Sequence, residues 1–199
     1  MADVLLTCER ATSVAAARRP DRKCDNLGDR TCEETALEFE LAPAGTGTTL
    51  VLAACGGFLL AVLWMDLLFD VQVLKHRTAD LPEDVLASIA AYYRRVTTTS
   101  RPMGRLIALV MLTTLATLSV EFATDAAPRW QVFASFVFAG MPIVGAVGKT
   151  FRDAARLGAR TDDAAAQSRL ARSICREHIG YAIGMAVFVG MQIWRGAAT

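Results

Sequence analysis

The sequence predicts an all-α membrane protein: a four-span antiparallel transmembrane helix bundle with an interfacial amphipathic helix and a flexible N-terminal tail. Four apolar runs, at 49–69, 106–122, 130–147 and 179–194, alternate with charged stretches. Hydrophobic residues make up 53% of the 199-residue chain, and the mean hydropathy is +0.34. The second and third runs carry almost no charge, whereas a helix at the surface of a soluble protein shows one polar face.

Composition divides the chain into a polar tail, 1–48, and a membrane domain, 49–199. The tail is rich in Asp, Glu, Arg and Thr, which predicts a flexible segment. It holds Cys24 and Cys32, which would form a disulfide in an oxidising compartment and would stay free thiols otherwise. The sequence leaves these two alternatives open.

The four apolar runs predict spans at about 49–70, 105–123, 130–148 and 178–195. A helix needs about 20 apolar residues to cross the hydrocarbon core, and the first two runs meet this length comfortably. The third run is near the lower limit. The fourth is short, so it would need flanking residues or a locally thinner bilayer.

Basic residues indicate the orientation of the bundle. Lys and Arg concentrate in the loops 71–105 and 149–177, and cytoplasmic loops are enriched in these residues. Both loops fall on one side of a four-span protein, so we predict that they are cytoplasmic and that both termini are non-cytoplasmic. The net charge of +1 gives no signal for nucleic acid, and the sequence does not identify the organelle.

The first basic loop contains a predicted helix at about 82–96. Pro82, Glu83 and Asp84 are typical of a first helical turn, and apolar residues then recur at helical spacing. We interpret it as a helix in the membrane interface, with Tyr92 and Tyr93 at headgroup depth. The second basic loop is Ala- and Arg-rich and is expected to extend helices three and four, with a turn near 158–163.

Small residues in the fourth run indicate close helix contacts. Gly180 and Gly184 form a G-x-x-x-G pair, which lets helix backbones approach each other. The pair fits either packing within the bundle, the interpretation we favour, or a seam between two copies of the chain.

The candidate catalytic residues are Asp66, Asp70 and His178. Asp66 and Asp70 are four residues apart, so they share one helical face, and acids at membrane depth are costly enough to indicate function. His178 begins the fourth run on the same side, beside Glu177. Together these groups could bind a metal or transfer protons, but no Glu-x-x-His repeat of the di-iron bundles is present, so no metal site is assigned. The alternative is a salt-bridge pair that anchors the helix end, and Glu121 is expected to be an interfacial anchor.

Three stretches carry a family resemblance: Ala91-Tyr92-Tyr93-Arg94-Arg95, Arg101-Pro102-Met103, and 170–178 (LARSICREH). In layout, roughly 49–194 resembles the anthrone-oxygenase-like family of small four-helix integral membrane proteins. The resemblance implies oxygenase activity on a lipophilic substrate. The chain departs from the family at 145–150 (GAVGKT), where that family tends to have an Asn after the third span.

Three functions are compatible with the sequence. The favoured function, because no specific catalytic motif is present, is a non-catalytic accessory subunit or scaffold of a membrane complex. Such a protein would copurify with a protein partner or form a homo-oligomer. The second is a membrane oxidoreductase or oxygenase, which would hold a lipid-like ligand in a pocket between helices one and four. The third is proton or ion translocation. The cofactor is unknown, and the lipid bilayer is the one partner that the sequence predicts directly.

Overall fold

The computed structural model describes residues 44–76 and 80–198, with side chains from residue 47 onward. These residues form five helices and no strand, which confirms the all-α class. Residues 1–43 of the predicted tail, with Cys24 and Cys32, lie outside the described residues, and the last five residues of that tail, 44–48, belong to the first helix. The helices are α1 (Ala44–Asp70, continued by a 3-10 turn at Val71–Lys75), α2 (Glu83–Thr98), α3 (Arg101–Thr124), α4 (Arg129–Ala159) and α5 (Ala164–Ala197).

Three of these helices are long and apolar enough to cross a membrane: Gly47–Lys75, Arg101–Thr124 and Arg129–Ala159. Each of them also presents large apolar side chains outward, among them Leu50, Trp64, Leu112, Phe122, Phe133 and Val144. Apolar surface of this extent is unfavourable in water and is expected of a surface that faces lipid. The membrane class predicted from the sequence therefore agrees with the structure.

The apolar helices share one packed core. It consists of Leu52 and Leu59 of α1, Leu118 of α3, Ala139 and Ile143 of α4, and Met185 and Phe188 of α5. Among the described elements, α1 packs most extensively against α5. Because lipid tails are as apolar as these side chains, close packing rather than exclusion of water stabilises such a core in a membrane.

Helix α4 contains two π-helical turns, at Phe136–Gly140 and Ala146–Thr150. Pro142 lies between them, and a proline inside a helix lacks the N–H and displaces the carbonyl of residue i−4, here Phe138. A Cβ at position 184 would lie 3.1 Å from the Phe138 oxygen. Gly184 therefore faces α4 within the chain, as the bundle-packing interpretation predicts, whereas a Cβ on Gly180 would meet nothing within 4 Å.

The second basic loop is helical, as predicted. Helix α4 runs to Ala159 and ends at Arg160, which adopts a left-handed conformation with φ 54°. Helix α5 begins at Ala164, and the Asp163 side chain caps it by accepting a hydrogen bond from the Ala166 N–H at 2.6 Å. This cap satisfies one of the unpaired N–H groups of the first turn.

Helix α2 begins and ends close to the predicted 82–96, but its apolar side chains contact other helices of the protein. Val85, Leu86, Ile89 and Tyr93 are buried in a core with residues of α4 and α5, including Leu157 and Ile174. Arg160 donates two hydrogen bonds to the Glu83 carboxylate at 2.6 and 2.8 Å. Tyr93 points into the protein rather than toward lipid headgroups. The spacing that predicted a membrane-surface helix is therefore used for protein packing.

Gly158 allows α2 and α4 to approach closely, and we expect Gly158→Ala to lower the melting temperature. A Cβ at 158 would lie 2.7 Å from the Arg94 backbone nitrogen, so the two backbones must separate. Loss of packing should outweigh the gain of ~1 kcal/mol in helix propensity. Gly148→Ala is the control, because its Cβ would meet nothing within 4 Å. Equal melting temperatures for the two variants in nanodiscs would contradict the close approach.

Candidate active site

Asp70 and His178 form a buried pair where α1 meets α5. The Asp70 side chain is only 1% exposed, and its Oδ2 lies 2.6 Å from Nδ1 of His178. The Tyr93 hydroxyl donates to Asp70 Oδ1 at 2.7 Å. Asp70 thus receives a hydrogen bond on each oxygen, as a buried carboxylate requires. The structure brings these two candidate residues into direct contact.

This contact bears on which ring nitrogen of His178 carries a hydrogen. When Asp70 is ionised, its carboxylate only accepts hydrogen bonds, so Nδ1 of His178 carries the hydrogen. In the neutral ring, Nε2 is then left with a free lone pair, and it has no hydrogen-bond partner among the described residues. A carboxylate that holds a histidine in this tautomer leaves the opposite nitrogen able to act as a general base.

Asp66 lies on the same face of α1, as the four-residue spacing predicted, but in a different environment. It is half-buried, and its Oδ1 accepts a hydrogen bond from the Tyr92 hydroxyl at 2.6 Å. Tyr92 is held in place by stacking on Phe69, with ring centroids 4.0 Å apart. Each of the two acids thus accepts a hydrogen bond from a different tyrosine.

Both tyrosines act as hydrogen-bond donors to these acids. Burial raises the pKa of Tyr92 and Tyr93, and the neighbouring carboxylates of Asp66 and Asp70 raise the two pKa values further. The hydroxyls therefore stay protonated and donate. From the sequence, both rings were expected at the membrane interface, and their role as hydrogen-bond donors to the acids was not predicted. The signal was present for Tyr93, which follows Ile89 by four residues on the buried face of α2.

An apolar cavity of about 380 Å³ adjoins the site. Asp66, Tyr92, Thr150, His178 and Tyr181 give it a polar end. The rest of its wall is mainly apolar and comes from α1, α3, α4 and α5: Leu59, Val62, Leu63, Ile107, Met111, Pro142, Ile143, Ala146 and Met185. This volume and this mixture of many apolar groups with a few polar ones are typical of a small-molecule site.

Glu177 does not join the predicted cluster of acids. Its carboxylate pairs with Lys149 and accepts hydrogen bonds from Thr150 at 2.7 Å and from Ser173 at 2.9 Å. Burial alone would raise its pKa, but these hydrogen bonds, with that from Lys149 the strongest, lower the pKa overall. Glu177 is therefore a structural carboxylate beside the site.

Glu121, which the sequence predicted as an interfacial anchor, belongs to a buried ion pair. Its side chain is fully buried, and Arg195 donates to both of its oxygens at 3.0 and 3.1 Å. Arg195 also donates to Gln192, whose amide donates to Ser135 at 3.0 Å. The pairing joins residues 74 positions apart, which no local pattern could reveal.

Among residues 44–76 and 80–198, no three His, Cys, Asp or Glu side chains are close enough together to hold a metal ion. Comparison with known proteins gives no relative for this chain: no protein-family model, curated protein or solved structure matches it. The function is therefore inferred from the geometry of the site.

Proposed function

We propose that the protein is a four-span antiparallel bundle in which α5 is the fourth span. The stretch 179–194 of α5 carries no charged residue, and its Ile183, Val187, Ile193 and Trp194 are exposed. By the enrichment of Lys and Arg in cytoplasmic loops, α2 and the turn between α4 and α5 lie in the cytoplasm. The Asp70–His178 pair then lies at the cytoplasmic end of the bundle.

Within this frame, we propose that the protein is a membrane enzyme that binds a lipophilic substrate in the cavity and transfers a proton through His178. The observation that carries the proposal is the Asp70–His178 pair at the polar end of an apolar cavity. The pocket predicted for an enzyme lay between helices one and four, and both α1 and α5, the helix of the fourth run, contribute to this cavity. The geometry therefore favours the catalytic alternative over the accessory role.

The exposed residues around the cavity indicate how a substrate enters. Of its lining residues, Met65, Val96, Met103 and Phe151 are exposed. All four are apolar and lie at the proposed cytoplasmic end of the bundle, so the mouth of the cavity lies where the lipid-facing surface meets the cytoplasmic face. A lipophilic molecule could enter from the bilayer and place its polar group against Asp66 and His178.

The proposed step is a proton abstraction. Nε2 of His178 takes a proton from a C–H group beside a carbonyl of the bound molecule, which leaves the electron pair on the substrate as an enolate. The resulting imidazolium is stabilised by the Asp70 carboxylate. Tyr181 also lines the cavity, with its ring centroid 6.4 Å from that of His178, and its hydroxyl can donate to the oxyanion that develops.

We expect protein purified in mild detergent to retain a lipophilic molecule, identified by organic extraction and mass spectrometry. Ala146→Trp should fill the cavity and reduce retention by about tenfold or more, because the ring takes the place of the ligand. Val144→Trp is the matched control, because Val144 is exposed on the same helix. Equal retention by both variants would show that the molecule binds elsewhere.

The proton step is tested with the extracted molecule in D2O. The wild type should catalyse deuterium incorporation, and His178→Gln should reduce the rate by about 10²–10⁴-fold, the usual contribution of a general base. If the wild type retains the molecule but does not catalyse exchange, the proposed enzymatic function is contradicted, and the accessory role becomes the favoured function. Copurification with a stoichiometric protein partner would support that role directly.

A further inference from the structure

A second site lies outside the cavity, in an open groove of about 920 Å³. Its walls come from the 3-10 turn after α1, the last turns of α4 and the first half of α5. One histidine, one lysine, four arginines and one acid line it: His76, Lys149, Arg156, Arg169, Arg172, Arg176 and Asp153. A concave surface lined by one sign of charge concentrates ions of the opposite sign.

Three arginines on α5 lie close enough together to repel each other. Arg169, Arg172 and Arg176 are spaced by three and four residues, so they lie on one face of the helix. Like charges at this spacing repel each other and destabilise a helix. A bound anion between the side chains would turn this repulsion into attraction.

Several of the basic groups already have partners, but two are available. Lys149 pairs with Asp153 and Glu177, and Arg156 pairs with Asp162. Arg172 donates to the backbone oxygen of His76 at 3.3 Å. Arg169 and Arg176 are exposed and form no ion pair with any residue that the structure describes. These two guanidinium groups are therefore free to bind a ligand.

We propose that this groove binds a phosphate group. Guanidinium forks bind phosphate through paired hydrogen bonds, and Arg169 and Arg176 lie two helical turns apart on the same face, with Arg172 between them. The wall also includes apolar residues, Val73, Leu74 and Leu170, which suit the glycerol and first acyl carbons of a phospholipid. The same chemistry would bind a soluble organic phosphate.

The groove and the cavity are separate but adjacent. Lys149 lines the groove and Thr150 lines the cavity, and both donate to Glu177. The phosphate site does not depend on the proposed enzymatic role of the cavity, because none of the groove's basic residues lines the cavity.

The test compares Arg169→Gln/Arg176→Gln with Arg94→Gln/Arg152→Gln. The second double variant removes the same charge from exposed arginines that do not line the groove. Phosphatidic acid in phosphatidylcholine nanodiscs is the lipid probe, and glycerol 3-phosphate is the soluble probe. Binding is measured by native mass spectrometry for the lipid and by calorimetry for the soluble probe. The unliganded melting temperature serves as the folding check, and it should not fall for either variant.

We expect the groove variant to weaken binding of at least one probe by about tenfold or more, and the control variant to leave it nearly unchanged. Binding of phosphatidic acid alone would identify the ligand as a lipid headgroup, and binding of glycerol 3-phosphate alone would identify a soluble phosphate. Two outcomes would overturn the proposal: no binding of either probe by the wild type, or equal weakening in both variants, which would show a diffuse surface potential.

Discussion

Arg195→Met is expected to lower the free energy of unfolding by about 3–5 kcal/mol, the usual cost of leaving one member of a buried ion pair alone. The Glu121 side chain is fully buried and the Arg195 side chain is only 10% exposed. Without the guanidinium, both carboxylate oxygens of Glu121 lose their charged donor. No other charged donor to this carboxylate is present in the part of the chain that the structure describes, so the variant leaves a buried carboxylate without an ionic partner.

The control for this prediction is Arg129→Met, near the same end of the bundle. Arg129 pairs with Asp125 at 3.1 Å, but the two side chains are 75% and 63% exposed. Exposed pairs contribute about 0–1 kcal/mol. The double variant Glu121→Gln/Arg195→Met should recover most of the lost stability, because it leaves no unpaired charge. A single variant that unfolds like the wild type in nanodiscs would mean that the buried pair contributes no stability.

Asp70→Ala is expected to lower stability by about 3 kcal/mol, whereas Asp66→Ala should change it little or raise it. Asp70 is buried and accepts from both Tyr93 and His178, and each buried group left without a partner costs about 1–3 kcal/mol. Asp66 is half-buried, accepts one hydrogen bond and lies near the charge of Asp70. Its removal relieves mainly the cost of burying a carboxylate and also a smaller repulsion by Asp70, which offset the lost hydrogen bond and the lost attraction to His178.

Thermal unfolding of both variants in nanodiscs checks this difference. A higher melting temperature for Asp66→Ala would indicate an acid retained for function at a cost in stability. Asp70→Asn tests the effect on proton transfer separately from the effect on stability. The amide has the same shape as the carboxylate, but its NH2 group would donate to Nδ1 of His178 and select the other tautomer. It should therefore lose proton transfer with a smaller loss of stability. A lower melting temperature for Asp66→Ala than for Asp70→Ala would contradict the larger contribution to stability expected of the buried Asp70.

Local sequence patterns predicted most of the helices. Uncharged stretches such as 106–118 can only be long apolar helices, and Pro82-Glu83-Asp84 is typical of the start of a helix, so both were recognisable in the chain. The four-residue spacing of Asp66 and Asp70 likewise placed them on one face. The hydrogen-bond partners of these acids were not predictable, because Tyr92 and Tyr93 lie on a different helix, and its packing against α1 cannot be derived from local sequence. From local sequence, a position of the two tyrosines at the membrane surface was equally reasonable.

The sequence by itself determined the all-α class, the apolar helices and the candidate residues, because hydropathy and helical periodicity are properties of neighbouring residues. Only the tertiary structure decided which charges meet. It paired Asp70 with His178 across 108 positions and Glu121 with Arg195 across 74, and it directed Glu177 to Lys149 instead of to the site. Pairings over such distances depend on how helices pack, since a side chain reaches only a few ångströms and its neighbours are set by the fold.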